Sequence, residues 1–355
     1  MADGTTDEAD LLASPEPAAH REDPSIEALA EAAEHTDERA VQRQLFGWRE
    51  LASLAIPFAL LFVSARGVDF TEVLRTIRGS QPLLVVAALI VYYVSFPIRA
   101  ARWARLLRES GIRVRGRDLL EILMLGWFVN CLVPAKLGDL YRSYLVKRRF
   151  GVSMSRTVGV VVAERLLDIF VVFGLLIVGG YIAFGRTIVP DLRLVYLSAI
   201  ALAVVIALLT LVTYLLAPRL ARFFPAEVRR IGRLFREGVV HSFRALPVAG
   251  PLTLLVWASE AFRLAFVLSA LGLELPYSGI IFVAVASSLL TTVPLTPAGF
   301  GFVEIAIVYL LTTGFGFGQH DAIAVAILDR VVSIFSVIVI GSVLYARHRV
   351  KGTFG

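Results

Sequence analysis

Charged residues interrupt two of the most apolar parts of this 355-residue sequence. Residues 164–168 read E-R-L-L-D and residues 329–330 read D-R, each within a long run of apolar side chains. An ionised side chain at the centre of a bilayer costs about 2.5 to 3.5 kcal/mol on insertion scales. Each of these groups therefore needs water, a bound ion or a partner of opposite charge.

The spacing of acidic and basic residues predicts some of these partners. Arg165 and Asp168 are three residues apart, as are Glu260 and Arg263, so each pair shares one face of a helix. Neighbouring residues of a helix do not face each other. The two members of the D-R pair are therefore each expected to contact another segment.

Two arginines are the best candidates for binding a ligand. Arg165 and Arg330 each follow an acidic residue, and one of them is the candidate partner of Glu304, which has no basic neighbour in sequence. A guanidinium group matches a phosphate or carboxylate with two parallel hydrogen bonds. One interpretation is a polar cavity that holds an anionic head group such as a lipid phosphate. The other is a set of buried ion pairs that lock helices together. The residues predicted to contact the head group are Arg165, Arg330, Glu304, Glu164, Asp168, Lys136 and Arg142.

Lys136 and Arg142 lie beside a break in another apolar stretch, which reads L-V-P-A-K-L-G-D-L-Y-R. Long basic side chains near the end of a membrane segment extend their charges to the interface. These two residues either contact lipid phosphates at the inner surface or only anchor the segment there, and the second interpretation is slightly favoured.

Residues suited to other chemistry are few. The five histidines lie outside the predicted spans, and no two have the spacing of metal ligands. We predict no catalytic residue, no metal site and no cofactor, and we expect that the protein is not an enzyme. Glu164, Asp168 and Glu304 are the alternatives as a general acid or base.

The elements that must position these groups are membrane helices. The chain is 57% hydrophobic and has a mean hydropathy of +0.75, which is more apolar surface than a soluble domain buries. Residues 1–44 contain twelve acidic residues and three arginines and are predicted to be a disordered, acidic cytoplasmic tail. Residues 45–348 form the predicted transmembrane domain, and 349–355 a short cytoplasmic tail. The basic residues lie between apolar segments, which indicates membrane topology rather than nucleic-acid binding.

Apolar stretches of about 20 residues predict an all-α, polytopic protein with six full spans. Two shorter stretches, 119–133 and 279–293, are each followed by a proline–glycine break and a second helical run, 139–149 and 301–314. This pattern predicts two re-entrant helical hairpins, because irregular backbone at membrane depth is tolerated where protein covers it. The break residues are Pro134, Gly138, Pro297, Gly299 and Gly301. The spans are 48–65, 82–98, 157–183, 194–217, 251–271 and 322–346.

Arginine-rich loops set the predicted orientation. Residues 99–117 and 218–250 each carry seven arginines, and 147–156 carries four basic residues, whereas 272–279 carries none. The positive-inside rule places the basic loops and both termini on the cytoplasmic side of the inner or plasma membrane. The first hairpin then enters from the cytoplasm and the second from outside. The segment 219–246 is either an interfacial amphipathic helix or a solvated loop.

The two halves of the chain carry the same landmarks in the same order. The matched residues are Arg102 and Arg263, Gly111 and Gly272, Gly138 and Gly299, and Arg165 and Arg330. Spans 82–98 and 251–271 run in opposite directions, so repeats at 82–183 and 251–346 are predicted to be inverted. Inverted repeats with broken helices are typical of alternating-access transporters. A duplication retained only for packing is the alternative.

Five motifs together resemble a known family. They are N-x-x-x-P-A-x-x-G-D-x-x-R (130–142), G-x-S (151–153), E-R-x-x-D (164–168), T-P-A-G-x-G-x-x-E (296–304) and the D-R pair. They resemble the lysylphosphatidylglycerol synthase transmembrane-region family, a group of flippase-like integral membrane proteins, over residues 46–346. The resemblance implies a relative of the module that moves aminoacylated phospholipid between leaflets. Full synthases add a soluble domain after the membrane part, so we expect a stand-alone member without the synthase reaction.

Three functions remain in competition. The leading hypothesis is a lipid translocator that moves a phospholipid or polyprenyl-linked lipid between leaflets, with membrane lipids as its partners. The second is a non-transporting membrane partner of a cell-envelope glycosyltransferase or lipid synthase. The third is an intramembrane enzyme that acts on a lipid head group.

Overall fold

The computed structural model describes residues 69–133, 136–184, 225–290 and 296–350, together with the single helical positions 197, 201 and 204. These residues form eleven α-helices joined by short connections, and no strand occurs among them. The all-α class is therefore confirmed. The acidic tail 1–44 and the predicted spans 48–65 and 194–217 lie outside the described residues.

The first two helices differ greatly in length. Helix α1 (Phe70–Arg78) has nine residues, and helix α2 (Pro82–Glu109) has 28 and starts with a proline, which suits the first position of a helix. Helix α2 runs well past residue 98, where its span was predicted to end. Arg99 and Arg102 are therefore helical and buried, and their assignment to a cytoplasmic loop is wrong.

Helices α3 (Gly116–Leu132) and α4 (Leu137–Phe150) form the first hairpin and pack against each other. They have 17 and 14 residues, fewer than the roughly 20 that a full span needs. The arms touch at Gly126 and Gly138, where a Cβ on Gly138 would lie 1.9 Å from the Gly126 carbonyl oxygen. Gly138 thus lies in the first turn of α4 and permits close packing, rather than forming the break that was predicted there. Pro134 lies outside the described residues.

A long helix carries the E-R-x-x-D motif and packs against a cytoplasmic-loop helix. Helix α5 (Met154–Phe184) contacts helix α6 (Ala226–Ser242). A Cβ on Gly159 would lie 2.2 Å from the Phe235 oxygen, and one on Gly238 would lie 2.2 Å from the Arg156 oxygen. The segment 219–246 therefore contains a packed helix, and its interpretation as a solvated loop is wrong.

The second half continues from α6 with almost no interruption. A 3₁₀ turn (Phe243–Ala245) leads into helix α7 (Leu246–Ala270), which packs along α2. The second hairpin follows, as helix α8 (Tyr277–Leu290), a 3₁₀ turn (Pro297–Gly299), helix α9 (Phe302–Tyr309) and a π-helical turn (Leu310–Gly314). The chain then forms helix α10 (Gln319–Arg330), a second π-helical turn (Val331–Phe335) and helix α11 (Ser336–Val350).

Glycine conformations shape the tip of the second hairpin. Gly299 and Gly301 have φ angles of +73° and +87°, which glycine adopts without the steric cost that a Cβ imposes. Gly301 precedes the first residue of α9, and its N–H donates to Glu304 Oε2 at 2.6 Å. The chain thus turns and restarts a helix within a few residues.

Five helical stretches of the described residues are long and apolar enough to cross a membrane: Pro82–Glu109, Met154–Phe184, Ala226–Ala270, Pro297–Gly314 and Gln319–Arg347. Their outer surfaces expose large apolar side chains such as Leu83, Ile182 and Val339. A surface of that kind suits contact with lipid chains. The protein is therefore a multi-pass membrane protein.

Candidate functional site

A cavity of about 310 Å³ lies where the two hairpin tips meet. The first hairpin contributes Asn130, Cys131 and Lys136, and the second contributes Ala298 and Gly299. The rest of the wall comes from α2, α5, α7, α10 and the π-helical turn after α10. The charged residues in this wall are Arg99, Lys136, Arg165, Asp168, Glu260, Arg263 and Arg330.

Arg102 joins three helices on one side of this cavity. Its side chain is 1% exposed, and its Nη2 and Nη1 lie 2.6 Å from Glu164 Oε1 and 2.5 Å from Asp168 Oδ1. Its Nη1 also donates to Thr253 Oγ1 of α7 at 3.0 Å. Removing one partner from so buried an ion pair leaves the other charge uncompensated, which makes the group central to stability.

Asp139 and Arg142 connect the first hairpin to the same cluster. Arg165 binds Asp139 through two contacts of 2.9 Å, Nε to Oδ2 and Nη2 to Oδ1. Arg142 donates to Glu164 Oε2 at 2.8 Å and lies over the Trp103 ring at 4.8 Å. Arg142 is 1% exposed, so the interpretation that it extends to the membrane surface is wrong.

A second cluster surrounds the other side of the cavity. Glu260 accepts from Arg99 Nη2 at 2.5 Å and from Arg263 Nη2 at 3.0 Å, and Arg263 also pairs with Asp329. The predicted contact between Glu260 and Arg263 is present. The two members of the D-R pair also each reach another segment, as their adjacency required.

Glu304 pairs with Arg330, one of its two candidate partners. Arg330 Nε lies 3.3 Å from Glu304 Oε1, and Arg330 Nη2 lies 3.7 Å from Asp329 Oδ2. Neither Arg330 Nε nor Glu304 Oε1 has a well-aligned hydrogen bond within the described part of the chain. Both atoms keep capacity for a further partner.

Aromatic rings complete the wall of the cavity. Tyr92, Trp127 and Trp257 line it, and Arg99 lies over the Trp127 ring at 4.8 Å. The indole N–H of Trp257 is buried, and no hydrogen-bond partner exists for it among the described residues. A ring face and a free donor in a water-excluded wall suit a ligand with both apolar and polar parts.

The structure brings the predicted head-group residues together from four helices, but in two layers. Lys136, Arg165, Asp168 and Arg330 line the cavity directly. Glu164, Arg142 and Glu304 lie behind them and pair with arginines of the clusters. Among the described residues, no group of three or more His, Cys, Asp or Glu side chains is placed to hold a metal ion.

Sequence reasoning overlooked Arg99 and Asp139 as members of the site. Arg99 is three residues before Arg102, and both were counted as loop charges. Asp139 is three residues before Arg142 on the return arm of the hairpin. In both cases the i,i+3 spacing was a usable signal, because it places two charges on one helix face.

The fold and the site define a multi-pass, all-helical membrane protein with a buried ionic cavity between two helical hairpins. The chain belongs to the lysylphosphatidylglycerol synthase TM region family, whose model matches residues 51–341.

Curated relatives carry two kinds of name. The chain is 33% identical to a UPF0104 membrane protein of Methanocaldococcus jannaschii over 61% of this chain and 93% of that protein. It is 24% identical to a UPF0104 membrane protein of Methanothermobacter thermautotrophicus over 76% of this chain and 87% of that protein. It is also 27% identical to the glycosyltransferase AglD of Haloferax volcanii, over 79% of this chain but only 51% of that protein.

Proposed function

We propose that the protein is a lipid translocator, which moves a phospholipid or a polyprenyl-linked lipid between the leaflets of the cell membrane. The observation that carries the proposal is the cavity between the hairpin tips, which has five basic and two acidic side chains in its wall. A head group that crosses a bilayer needs a polar path, and an anionic one is stabilised by guanidinium donors.

Matched ion pairs support an inverted repeat. Asp139 pairs with Arg165, and Glu304 pairs with Arg330; the corresponding residues of these two pairs are separated by the same interval of 165 residues. The same interval separates Glu164 from Asp329, which pair with the matched arginines Arg102 and Arg263. A duplication that kept these contacts gives two related halves around one cavity.

The contact between Arg99 and Glu260 fits the same arrangement. These residues are separated by 161 residues, the interval that separates Arg102 from Arg263. They occupy matched positions on α2 and α7, and they contact each other at 2.5 Å. Contact between matched positions is expected at a pseudo-two-fold axis, so we infer that this axis passes between α2 and α7, beside the cavity.

In this proposal the hairpins enter from opposite faces and both termini are cytoplasmic, as the arginine-rich loops predict. Each tip closes the cavity from its own side. Alternate withdrawal of the two tips opens the cavity first to one leaflet and then to the other. The lipid chains stay in the bilayer, and only the head group passes between the clusters.

Leaflet exchange in liposomes tests the proposal. The purified protein is reconstituted with acyl-chain fluorescent phosphatidylglycerol, phosphatidylcholine or a short polyprenyl phosphate, and dithionite then bleaches the outer leaflet. We expect bleaching to proceed beyond the outer-leaflet fraction for at least one lipid. Exchange no faster than in protein-free liposomes for the whole panel would sink the proposal.

The glycosyltransferase AglD supports a second candidate function. That relative extends well beyond the matched region, because the match covers 51% of it. The present chain would then act as a membrane partner for a separate cell-envelope enzyme, without transport. Affinity purification of the membrane-extracted protein would recover one glycosyltransferase or lipid synthase in near-stoichiometric amount. Recovery of none, together with lipid exchange by the purified protein alone, would exclude this role.

A further inference from the structure

The ion pairs around the cavity are balanced in charge. Each of the six carboxylates contacts at least one guanidinium nitrogen, and each of the six arginines contacts at least one carboxylate, so their charges cancel. The arginines are Arg99, Arg102, Arg142, Arg165, Arg263 and Arg330. The carboxylates are Asp139, Glu164, Asp168, Glu260, Glu304 and Asp329.

Lys136 adds a seventh positive charge to this balanced set. It lines the cavity at the tip of the first hairpin, and it forms no ion pair or hydrogen bond through its side chain with another residue in the described ranges. Its backbone is left-handed, with φ of +53° and ψ of +36°, which an L residue rarely adopts. A strained residue of this kind at a cavity wall is an observation from which a functional role can be inferred.

An uncompensated charge in a low-dielectric cavity is unfavourable unless a ligand or water neutralises it. We propose that the cavity selects a head group with one net negative charge, namely a lipid phosphodiester, and that Lys136 sets this selectivity. The inference rests on the proposed function and names the substrate class of the same site.

Charge matching separates the competing lipid classes. A phosphodiester carries one negative charge and neutralises the cavity. A zwitterionic head group leaves the charge of Lys136 uncompensated, and a phosphomonoester, whose second pKa is about 6, leaves an excess negative charge at pH 8. Arg165, Arg330 and the Trp257 indole N–H line the same cavity and are donors for the remaining phosphate oxygens.

The second hairpin provides a built-in comparison. Ala298 is the other non-glycine residue with positive φ in the described ranges, at +49°, and it lines the cavity from the opposite tip. One tip therefore carries a charge and the other does not. Ala298→Lys adds a second charge at a tip that already has the required backbone, and should shift the preference towards doubly charged head groups.

Calorimetric titration of the detergent-purified protein with short-chain lipids at pH 8 tests the inference. The probes are dihexanoyl phosphatidylglycerol, phosphatidylcholine and phosphatidic acid. We expect the wild type to bind phosphatidylglycerol about tenfold more tightly than the other two, the effect of one charge-assisted contact. Lys136→Gln should remove this preference, and Lys136→Arg should keep it. Lys147→Gln changes an exposed lysine on the same hairpin and should behave as the wild type.

Each outcome separates this inference from the transport proposal. Equal wild-type affinity for the three lipids, or an unchanged preference in Lys136→Gln, would overturn the charge selection. Failure of Ala298→Lys to gain affinity for phosphatidic acid would also count against it, even if Lys136→Gln misfolds. Selective binding without leaflet exchange would leave the charge selection standing and contradict transport. Exchange without selectivity would do the reverse, and binding to none of the probes would contradict both.

Discussion

Arg165 holds Asp139 with two nitrogen–oxygen contacts of 2.9 Å, and this pair ties the first turn of α4 to α5. Arg330 holds Glu304 in the same way at the first turn of α9, with a closest contact of 3.3 Å. Each arginine also lines the cavity. A ligand that draws an arginine towards itself therefore acts directly on the return arm of one hairpin, which links head-group binding to hairpin movement.

The buried position of Arg102 predicts a large loss of stability on its removal. Arg102→Gln leaves Glu164 and Asp168 without their main partner, and we expect a loss of about 3 kcal/mol or more in the free energy of unfolding. Arg105→Gln, on the same helix, breaks a pair whose side chains are 35% and 24% exposed, and should cost less than about 1 kcal/mol. Titration from mild detergent into sodium dodecyl sulfate measures both. Equal losses for the two variants would contradict the assignment of Arg102 to a buried network.

The contact between α5 and α6 depends on glycine at position 238. Gly238→Ala would place a Cβ 2.2 Å from the Arg156 carbonyl oxygen, so the helices must separate, at about 1 to 3 kcal/mol. Gly232→Ala is the matched control, because no atom lies within 4 Å of its added Cβ. It should be neutral or stabilising, since alanine favours helix more than glycine does. Thermal melting compares the two variants, and the same melting temperature in both would show that α6 does not pack closely on α5.

The cap of helix α1 predicts a local dependence on pH. The ionised Asp69 side chain accepts the Thr71 N–H, which lowers the pKa of this exposed carboxyl below its ordinary value of 3.8. A lowered folded-state pKa adds stability above the unfolded-state pKa, and this stability is lost as the pH falls through the folded-state value. Asp69→Ala should therefore speed hydrogen exchange of the α1 amides at neutral pH, whereas Asp69→Asn should keep the cap. A difference between wild type and Asp69→Ala that persists unchanged below the folded-state pKa would contradict the role of the charge.

The proposed orientation predicts which side of the membrane reaches each hairpin. On a Cys131→Ser background, single cysteines at Arg113 and Lys147 flank the first hairpin, and those at Glu274 and Gln319 flank the second; all four positions are exposed. We expect a membrane-impermeant maleimide to label the second pair from outside intact cells, and the first pair only after the membrane is opened. Labelling of all four from one side would remove the inverted arrangement.

Much of the helical pattern could be predicted from hydrophobicity and breaks. The arms predicted at 119–133 and 139–149 correspond to α3 and α4, and the predicted span 157–183 corresponds to α5 within three residues at each end. These elements have long apolar runs that end at glycine or proline, so that local chemistry alone sets their limits.

The limits of α2 and the layout of the site required the three-dimensional structure. Arg99 and Arg102 have the composition of a cytoplasmic loop, and only acids contributed by α5 and α7 make their burial favourable. Arg142 was assigned to the interface for the same reason. Sequence spacing reveals partners on one helix, whereas the decisive partners here lie on others. The short distance between Gly159 and Phe235 is likewise a property of two helices together.

Leaflet exchange of phosphatidylglycerol by Arg165→Gln and Arg330→Gln tests the central claim most directly. Both arginines line the cavity, and loss of either guanidinium removes a head-group donor and releases one hairpin arm. We predict that wild-type protein and the surface control Lys147→Gln accelerate exchange, and that each arginine variant lowers this acceleration by at least about tenfold while remaining folded in the liposomes. Wild-type exchange rates in both arginine variants would contradict a translocation path through this cavity.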